Sequence, residues 1–332
     1  MTGNRRTARP RRWLTAVALI AAWFLLAAAG RRAPAFTGAA PDGQATGQRP
    51  TFSSQAEAVR IDALVTENGR PVLGLRPSDF EVRDNGVPQQ ADLVSFDRVP
   101  LTVIFTLDVS ESVEGQRLVD LRTAARSVLN GLRGEDEAAL VTFNAIVARA
   151  CDVTADQPRV ASALDQVKTG RGTALVDAVY AAMTLGAAET SRVLMIVFSD
   201  GVDTSSWLAP GSVIRAARGA NVVAHVVAVG RKESHSFQDR TRTEYEDAMK
   251  RVLDSGRFLR DVADLTGGTV FDLDSTRDLA GAFARILAEF RQRYLISYVP
   301  RNVSRDGWHQ LKVSIRGRRG ATVKARSGYQ AR

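Results

Sequence analysis

With a single cysteine, Cys151, among 332 residues, the chain cannot form an intrachain disulfide, and its fold must hold without one. Cys151 lies in Ile146 to Val153, a run that reads as a strand, so a buried, inert thiol is expected there rather than a nucleophile. Histidine is nearly as scarce: His225, His235 and His309 are the only three, and none stands in a recognisable motif with a partner. Also missing are a Walker A phosphate loop, a Gly-x-Ser-x-Gly nucleophile elbow, a His-Glu-x-x-His pair and clustered cysteines. Without a base or nucleophile of suitable pKa, the chain is expected to bind rather than to catalyse.

Acidic residues are missing from the first 35 positions, which hold seven arginines, while residues 301–332 carry nine Lys or Arg against Asp306 alone. The ends thus contribute +7 and +8 to a net charge of +9, which leaves −6 for the middle. A nucleic-acid domain would carry its basic patch on the folded core, so no nucleic-acid partner is expected. Long apolar runs are absent as well, apart from Trp13 to Ala29, which follows the basic group Arg5, Arg6, Arg9, Arg11 and Arg12. That layout is an export signal, with small residues at Ala27-Ala28-Ala29 or Ala33-Pro34-Ala35 for cleavage. The run is slightly short for a transmembrane helix, and the alternative is an uncleaved anchor in the inner membrane at residues 13–29. An extracytoplasmic location, periplasmic or secreted, follows from either. No cysteine follows the apolar run to take a lipid.

What is present is organised around Leu101 to Ser112, LTVIFTLDVSES. An apolar, β-branched run predicts a buried strand, and it ends in Asp108, Ser110 and Ser112 at alternate positions. In open α/β sheets ligands bind beyond the carboxyl ends of the strands. Two hydroxyls and a carboxylate there suit a hard divalent cation. Taken alone, the stretch also reads as a strand-ending turn that caps the next helix. Two further stretches bring oxygen to similar places: Gly170-Arg171-Gly172-Thr173 opens a helical run, and Val193 to Phe198 is a second buried strand that ends in Ser199-Asp200-Gly201.

These three motifs, in this order, resemble the von Willebrand factor A domain family over roughly residues 99 to 292. Asp108, Ser110, Ser112, Thr173 and Asp200 match the five positions of its metal-ion-dependent adhesion site. The resemblance implies a Mg2+ ion, or Mn2+ or Ca2+, held directly by the hydroxyls, with the two aspartates acting mainly through waters. A cation so held keeps its appetite for an anion, and the implied partner is a protein that offers an Asp or Glu carboxylate. Asp177 and Asp203, close in sequence to Thr173 and Asp200, are candidates for a supporting shell around the ligands, or else solvated helix and loop residues. Haloacid-dehalogenase-like phosphatases also keep a carboxylate at a strand end, in an Asp-x-Asp pattern, but the second position here is Ser110. A structural envelope protein with a merely stabilising metal remains the other alternative.

The rest of the chain divides around this core. Residues 36–56, rich in Gly, Ala, Pro, Thr and Gln, read as a flexible tether. Residues 57–98 read as a β segment with hairpin turns at Asn68-Gly69 and Asn85-Gly86. Its Gly-x-Pro-Val-x-Gly-Leu and Asp-Phe-x-Val patterns, at Gly69 to Leu75 and Asp79 to Val82, resemble the lead-in of a bacterial, acidobacterial-type subgroup of von Willebrand factor A-related proteins. Residues 99–293 alternate strands and helices, which predicts a doubly wound, Rossmann-like sheet with one antiparallel edge strand from the Glu137–Phe143 and Ile146–Val153 pair. Arg231 to Gly256, densely charged, reads as a solvated surface insertion, followed by a helix over Phe258 to Leu265 and a long one over Thr276 to Arg293. Residues 294–332 are β again and are expected to pair with 57–98 in a small sandwich, since two or three strands are marginal alone.

Overall fold

The computed structural model describes residues 58–94, 99–200, 202–230 and 242–331. The basic and apolar N-terminal segment, the tether at 36–56 and the first part of the charged stretch, 231–241, lie outside the described residues. The leading flank forms β1 (Val59–Glu67), β2 (Arg70–Pro71), β3 (Phe80–Asp84), β4 (Val87–Gln89) and β5 (Asp92–Val94). Both Asn-Gly pairs have positive φ, 51° and 74° at Asn68 and Gly69, 47° and 83° at Asn85 and Gly86. That is the two-residue turn geometry that closes a hairpin.

The centre of the molecule is β6 (Leu101–Asp108), buried along its whole length because it has a helical layer on each side. After it come α1 (Gln116–Asn130), β7 (Glu137–Phe143), β8 (Val147–Thr154), α2 (Gln157–Gln166), α3 (Leu175–Ala187), β9 (Arg192–Ser199), α4 (Pro210–Gly219), β10 (Val222–Val229), α5 (Arg242–Thr266), β11 (Val270–Leu273) and α6 (Leu279–Arg291). Six strands pair in the order β11-β10-β9-β6-β7-β8, all parallel except the β7–β8 pair at one edge. Phe105, Leu107 and Phe198 face one apolar layer, shared with Leu121 of α1 and Phe283 and Phe290 of α6. Ile104, Met195 and Val197 face the other, shared with Val179 and Met183 of α3, Val213 of α4 and Leu259 of α5. Cys151 of β8 is buried and free, and burial pushes its thiol up.

Two expectations need correcting. The charged stretch is not wholly an insertion, because α5 already starts at Arg242 rather than at Phe258. Its early turns carry Tyr245, Ala248, Met249, Val252 and Leu253 at helical spacing, which the dense charge around them masks, and the helix continues to Phe258, Leu259, Val262 and Ala263, which are anchored in the core. The final helix is also shorter than Thr276 to Arg293: Thr276–Asp278 is a 3-10 turn, and the α-helix stops at Arg291.

The trailing flank forms β12 (Tyr294–Tyr298), β13 (Gly307–Ile315), β14 (Ala321–Lys324) and β15 (Gly328–Ala331). Strand β1 pairs antiparallel with β12 over Val59 to Ala63 and with β14 over Leu64 to Glu67. Strands β15, β13, β3 and β4 make a second sheet. The two sheets share an apolar core that includes Ile61, Val65, Phe80, Val82, Ile296 and Tyr298. Asp84, fully buried there, accepts from Tyr298 Oη at 2.8 Å and Tyr329 Oη at 2.9 Å and lies 2.7 Å from His309 Nδ1. A buried carboxylate needs such partners, because its desolvation would otherwise outweigh the packing gain.

Candidate metal centre

Asp108 is the last residue of β6, and ladder pairing to β7 carries it opposite Phe143 with its side chain out of water. The chain then turns: Val109 N still donates to Phe143 O at 2.8 Å, and Ser110 N donates back to Asp108 Oδ1 at 2.9 Å. Asp108 Oδ2 accepts from Ser199 Oγ at 2.8 Å, across from the end of β9. From there a chain of oxygens runs to the surface. Ser110 Oγ lies 3.0 Å from Ser112 Oγ, and Ser112 Oγ donates to Asp200 Oδ1 at 2.7 Å. Arg117 Nη1, in the first turn of α1, donates to Asp200 Oδ2 at 2.9 Å and to Ser112 O at 3.2 Å.

These hydroxyls do not cap the following helix. The N-cap of α1 is Gly115, and Ser110, which precedes the 3-10 turn Glu111–Val113, makes no side-chain cap. The capping alternative for Asp108 to Ser112 therefore does not describe this loop.

Thr173 comes from the next loop, which is stitched to the first by a bridge between Ser110 and Gly170 and by Gly170 N donating to Val109 O at 2.9 Å. Thr173 is buried; its N donates to Thr204 Oγ1 at 3.0 Å, and its O accepts from Thr204 N at 2.9 Å and Ser205 N at 3.1 Å. Asp108, Ser110, Ser112 and Asp200 are thus joined directly, while among the described residues the Thr173 hydroxyl makes no bond to the other four.

Asp203 and Asp177 are engaged one layer out. Asp203 Oδ1 accepts from Leu175 N at 2.9 Å, at the start of α3, and from Ser206 Oγ at 2.6 Å. The two oxygens of Asp177 accept from Leu208 N and Trp207 N, each at 2.9 Å. Both carboxylates hold the 203–208 loop against the N-terminus of α3, where negative charge is favoured. Sequence reasoning missed Ser199 and Arg117. Ser199 adjoins Asp200 at a strand end and could have been suspected on position, whereas nothing local tells that Arg117 folds back onto Asp200.

Electrostatics mark Asp108 out. Burial raises its carboxyl from 3.8 to about 6; the Ser110 and Ser199 bonds oppose the rise, and the Asp200 charge adds to it. Two carboxylates held close with hydroxyls between them make a site that lacks positive charge on its buried side, since Arg117 reaches only the outer oxygen of Asp200. The donor set fits a small divalent cation. Neighbouring oxygens of an octahedral shell at about 2.1 Å from Mg2+ stand roughly 3 Å apart. The Ser110–Ser112 and Ser112–Asp200 separations, 3.0 and 2.7 Å, lie near that value.

Comparison with known proteins agrees with this fold. The sequence profile of the von Willebrand factor type A domain matches residues 102–263. No curated protein matches the chain. Among solved structures the chain is similar to a von Willebrand factor type A protein from Catenulispora acidiphila, at 16% identity over 84% of this chain and 75% of that one, with a TM-score of 0.48. It is also similar to the conserved hypothetical protein BatB from Bacteroides thetaiotaomicron, at 17% identity over 57% of this chain and 98% of that one, TM-score 0.40. A third is the vWF domain of the type V pili tip protein Mfa5 from Porphyromonas gingivalis, at 15% identity, 57% and 94% coverage and TM-score 0.40. The matching profile spans Asp108, Thr173 and Asp200, so residues 102–263 of this chain are a von Willebrand factor type A domain.

Proposed function

We propose that this chain is an extracytoplasmic, non-enzymatic binding protein whose von Willebrand factor A domain captures a carboxylate of a partner protein through a divalent cation. Asp108, Ser110, Ser112, Thr173 and Asp200 would hold the ion, with Mg2+ as the first choice and Mn2+ or Ca2+ as alternatives. When bound, the ion supplies a positive centre whose open position attracts an anion. The observation that carries this reading is the linked set of buried Asp108, which accepts from Ser110 N, the neighbouring hydroxyls of Ser110 and Ser112, and Asp200, which accepts from Ser112 Oγ. Domains of this family are generally interaction modules, which supports a protein partner. The two flanks would form a β-sandwich beside the domain, and residues 1–35 would act as a cleaved signal or, uncleaved, as an inner-membrane anchor. Among the described residues no helix is long and apolar enough to cross a membrane.

The test is calorimetric titration of Mg2+ and Mn2+ into the wild-type protein and into Asp108→Ala and Asp200→Ala. Both variants are expected to stay folded and to lose cation binding, because Asp108 ends β6 and Asp200 follows β9, both outside the apolar layers that hold the sheet. Unchanged affinity in either variant would overturn the assignment. A capture experiment from the cell envelope with and without chelator then separates partner binding from a purely stabilising metal: in the latter case chelation lowers the melting temperature but leaves the captured proteins the same.

A further inference from the structure

Two large apolar side chains lie bare on the loops beside the proposed metal centre. Trp207 is 95% exposed and Ile146 73% exposed, the two most exposed large hydrophobic residues described. A scattered surface apolar residue calls for no explanation, but these two flank one loop. Gly172, next to Thr173, is pinched between their neighbours: a Cβ on it would stand 2.6 Å from Ser205 Oγ and 3.0 Å from the Ala145 Cβ. Its φ of 75° also favours glycine.

Both side chains stand on tied backbone. Trp207 N and Leu208 N donate to the two oxygens of Asp177, and Ser206 Oγ bridges Asp203 and Asp177 N. On the other side, Ile146 N donates to Asn144 Oδ1, while Asn144 O accepts from Ala174 N at 2.7 Å and Ala145 N donates to Arg171 O at 2.8 Å. A rigid aromatic that is already exposed loses little freedom on binding, which is what interface anchors need. The charges around the centre point to the occupant's sign. Arg117 pairs with Asp200, and Arg171, whose side chain is 90% exposed, stands 3.7 Å from Glu111, so the rim is balanced before any cation adds positive charge.

We infer that Trp207 and Ile146 form an apolar recognition surface for the partner, selecting an acidic protein segment whose Asp or Glu is flanked by a bulky apolar residue. This rests on the cation–carboxylate reading and specifies its ligand. Asp177 and Asp203 act in it as positioning residues, since they hold the Trp207 loop.

The test selects a displayed random dodecapeptide library on the immobilised full chain in Mg2+, with elution by chelator. Eluted peptides are expected to carry an acid with a large apolar neighbour. Synthetic peptides with that motif should bind at least about tenfold more tightly than versions with serine at the apolar position. Trp207→Ala should abolish that preference, Trp207→Phe should keep it, and neither should change Mg2+ affinity or the melting temperature. If the eluted peptides carry acids with no apolar bias, or if Trp207→Ala selects the same motif, the inference is overturned while the carboxylate reading stands. If nothing elutes with chelator although calorimetry detects bound Mg2+, both the carboxylate reading and the inference are overturned.

Discussion

Arg117 is the residue at the proposed metal centre whose role is least expected from its position. Its guanidinium, half exposed, lies on the outer oxygen of Asp200, whose own side chain is almost wholly covered. A bound cation and this arginine would share the same carboxylate, so the arginine is expected to weaken cation binding by drawing on the negative charge of Asp200 and by repelling a second positive centre. Arg117→Ala should tighten Mg2+ binding severalfold, about 0.5–1 kcal/mol for a pair screened by solvent. Titration calorimetry at low and high salt checks it, with a smaller difference at high salt; an affinity that weakens in the variant would show that Arg117 helps to hold the site together instead. Ser199 acts in the other direction, since its hydroxyl bond to Asp108 lowers the cost of keeping that carboxylate charged while burial pushes it up to about 6.

The elements that join the family domain to its flanks meet over buried charge. Arg293, just after α6, is fully buried; it donates to Glu289 Oε1 at 3.3 Å and to the Asp62 carbonyl of β1 at 3.5 Å, and its Nη2 lies 3.5 Å from His225 Nε2 on β10. Arg192 of β9 pairs with the Asp62 carboxylate beside it, and Lys324 of β14 donates to Thr269 at 3.0 Å. His225 therefore faces Arg293, Lys324 and Glu289, with the Phe271 ring 5.9 Å away. Burial first, then the Arg293 and Lys324 charges, holds it neutral well below 6.5, and Glu289, 4.0 Å away, is already engaged by Arg293. In the unfolded chain His225 takes up its proton as the pH falls through about 6.5, whereas the folded chain resists it. This contribution to stability is therefore complete above that pH and is lost below it, at about 1 kcal/mol per pH unit. Melting temperatures between pH 7.5 and 5 should fall in the wild type and fall less in His225→Gln. Parallel curves would assign the loss to other groups.

At the scale of the whole molecule, the polypeptide leaves the flanking sheets after β5 and returns to them at β12, with the entire family domain in between. A chain ending after Arg293 would leave β1 without β12 and β14, and β3 without β13, exposing Ile61, Val65, Phe80 and Val82 together with open strand edges. Such a chain is expected to aggregate and to melt lower than the chain that keeps residues 294–332, as read by size-exclusion chromatography and calorimetry. An equally stable monomer would show that the family domain does not need its flanks. Much of this molecule was written locally. The eight buried residues of β6, the Asp-x-Ser-x-Ser after it, the glycine-bounded Thr173 and the Ser199-Asp200 strand end were legible because strand periodicity and oxygen-bearing turns depend on residues a few positions apart. The Asn-Gly turns were legible for the same reason, since positive φ is a property of the two residues themselves. The start of α5 at Arg242 was masked by the dense charge of the stretch, although Tyr245, Ala248, Met249, Val252 and Leu253 stand at helical spacing within it. Nor could local pattern tell that Arg117 closes on Asp200, that Arg293 is buried against Asp62, or that β1 divides its length between β12 and β14. Those contacts join residues 83 to 260 positions apart, and their free energy exists only once packing has excluded water and brought both partners to one place.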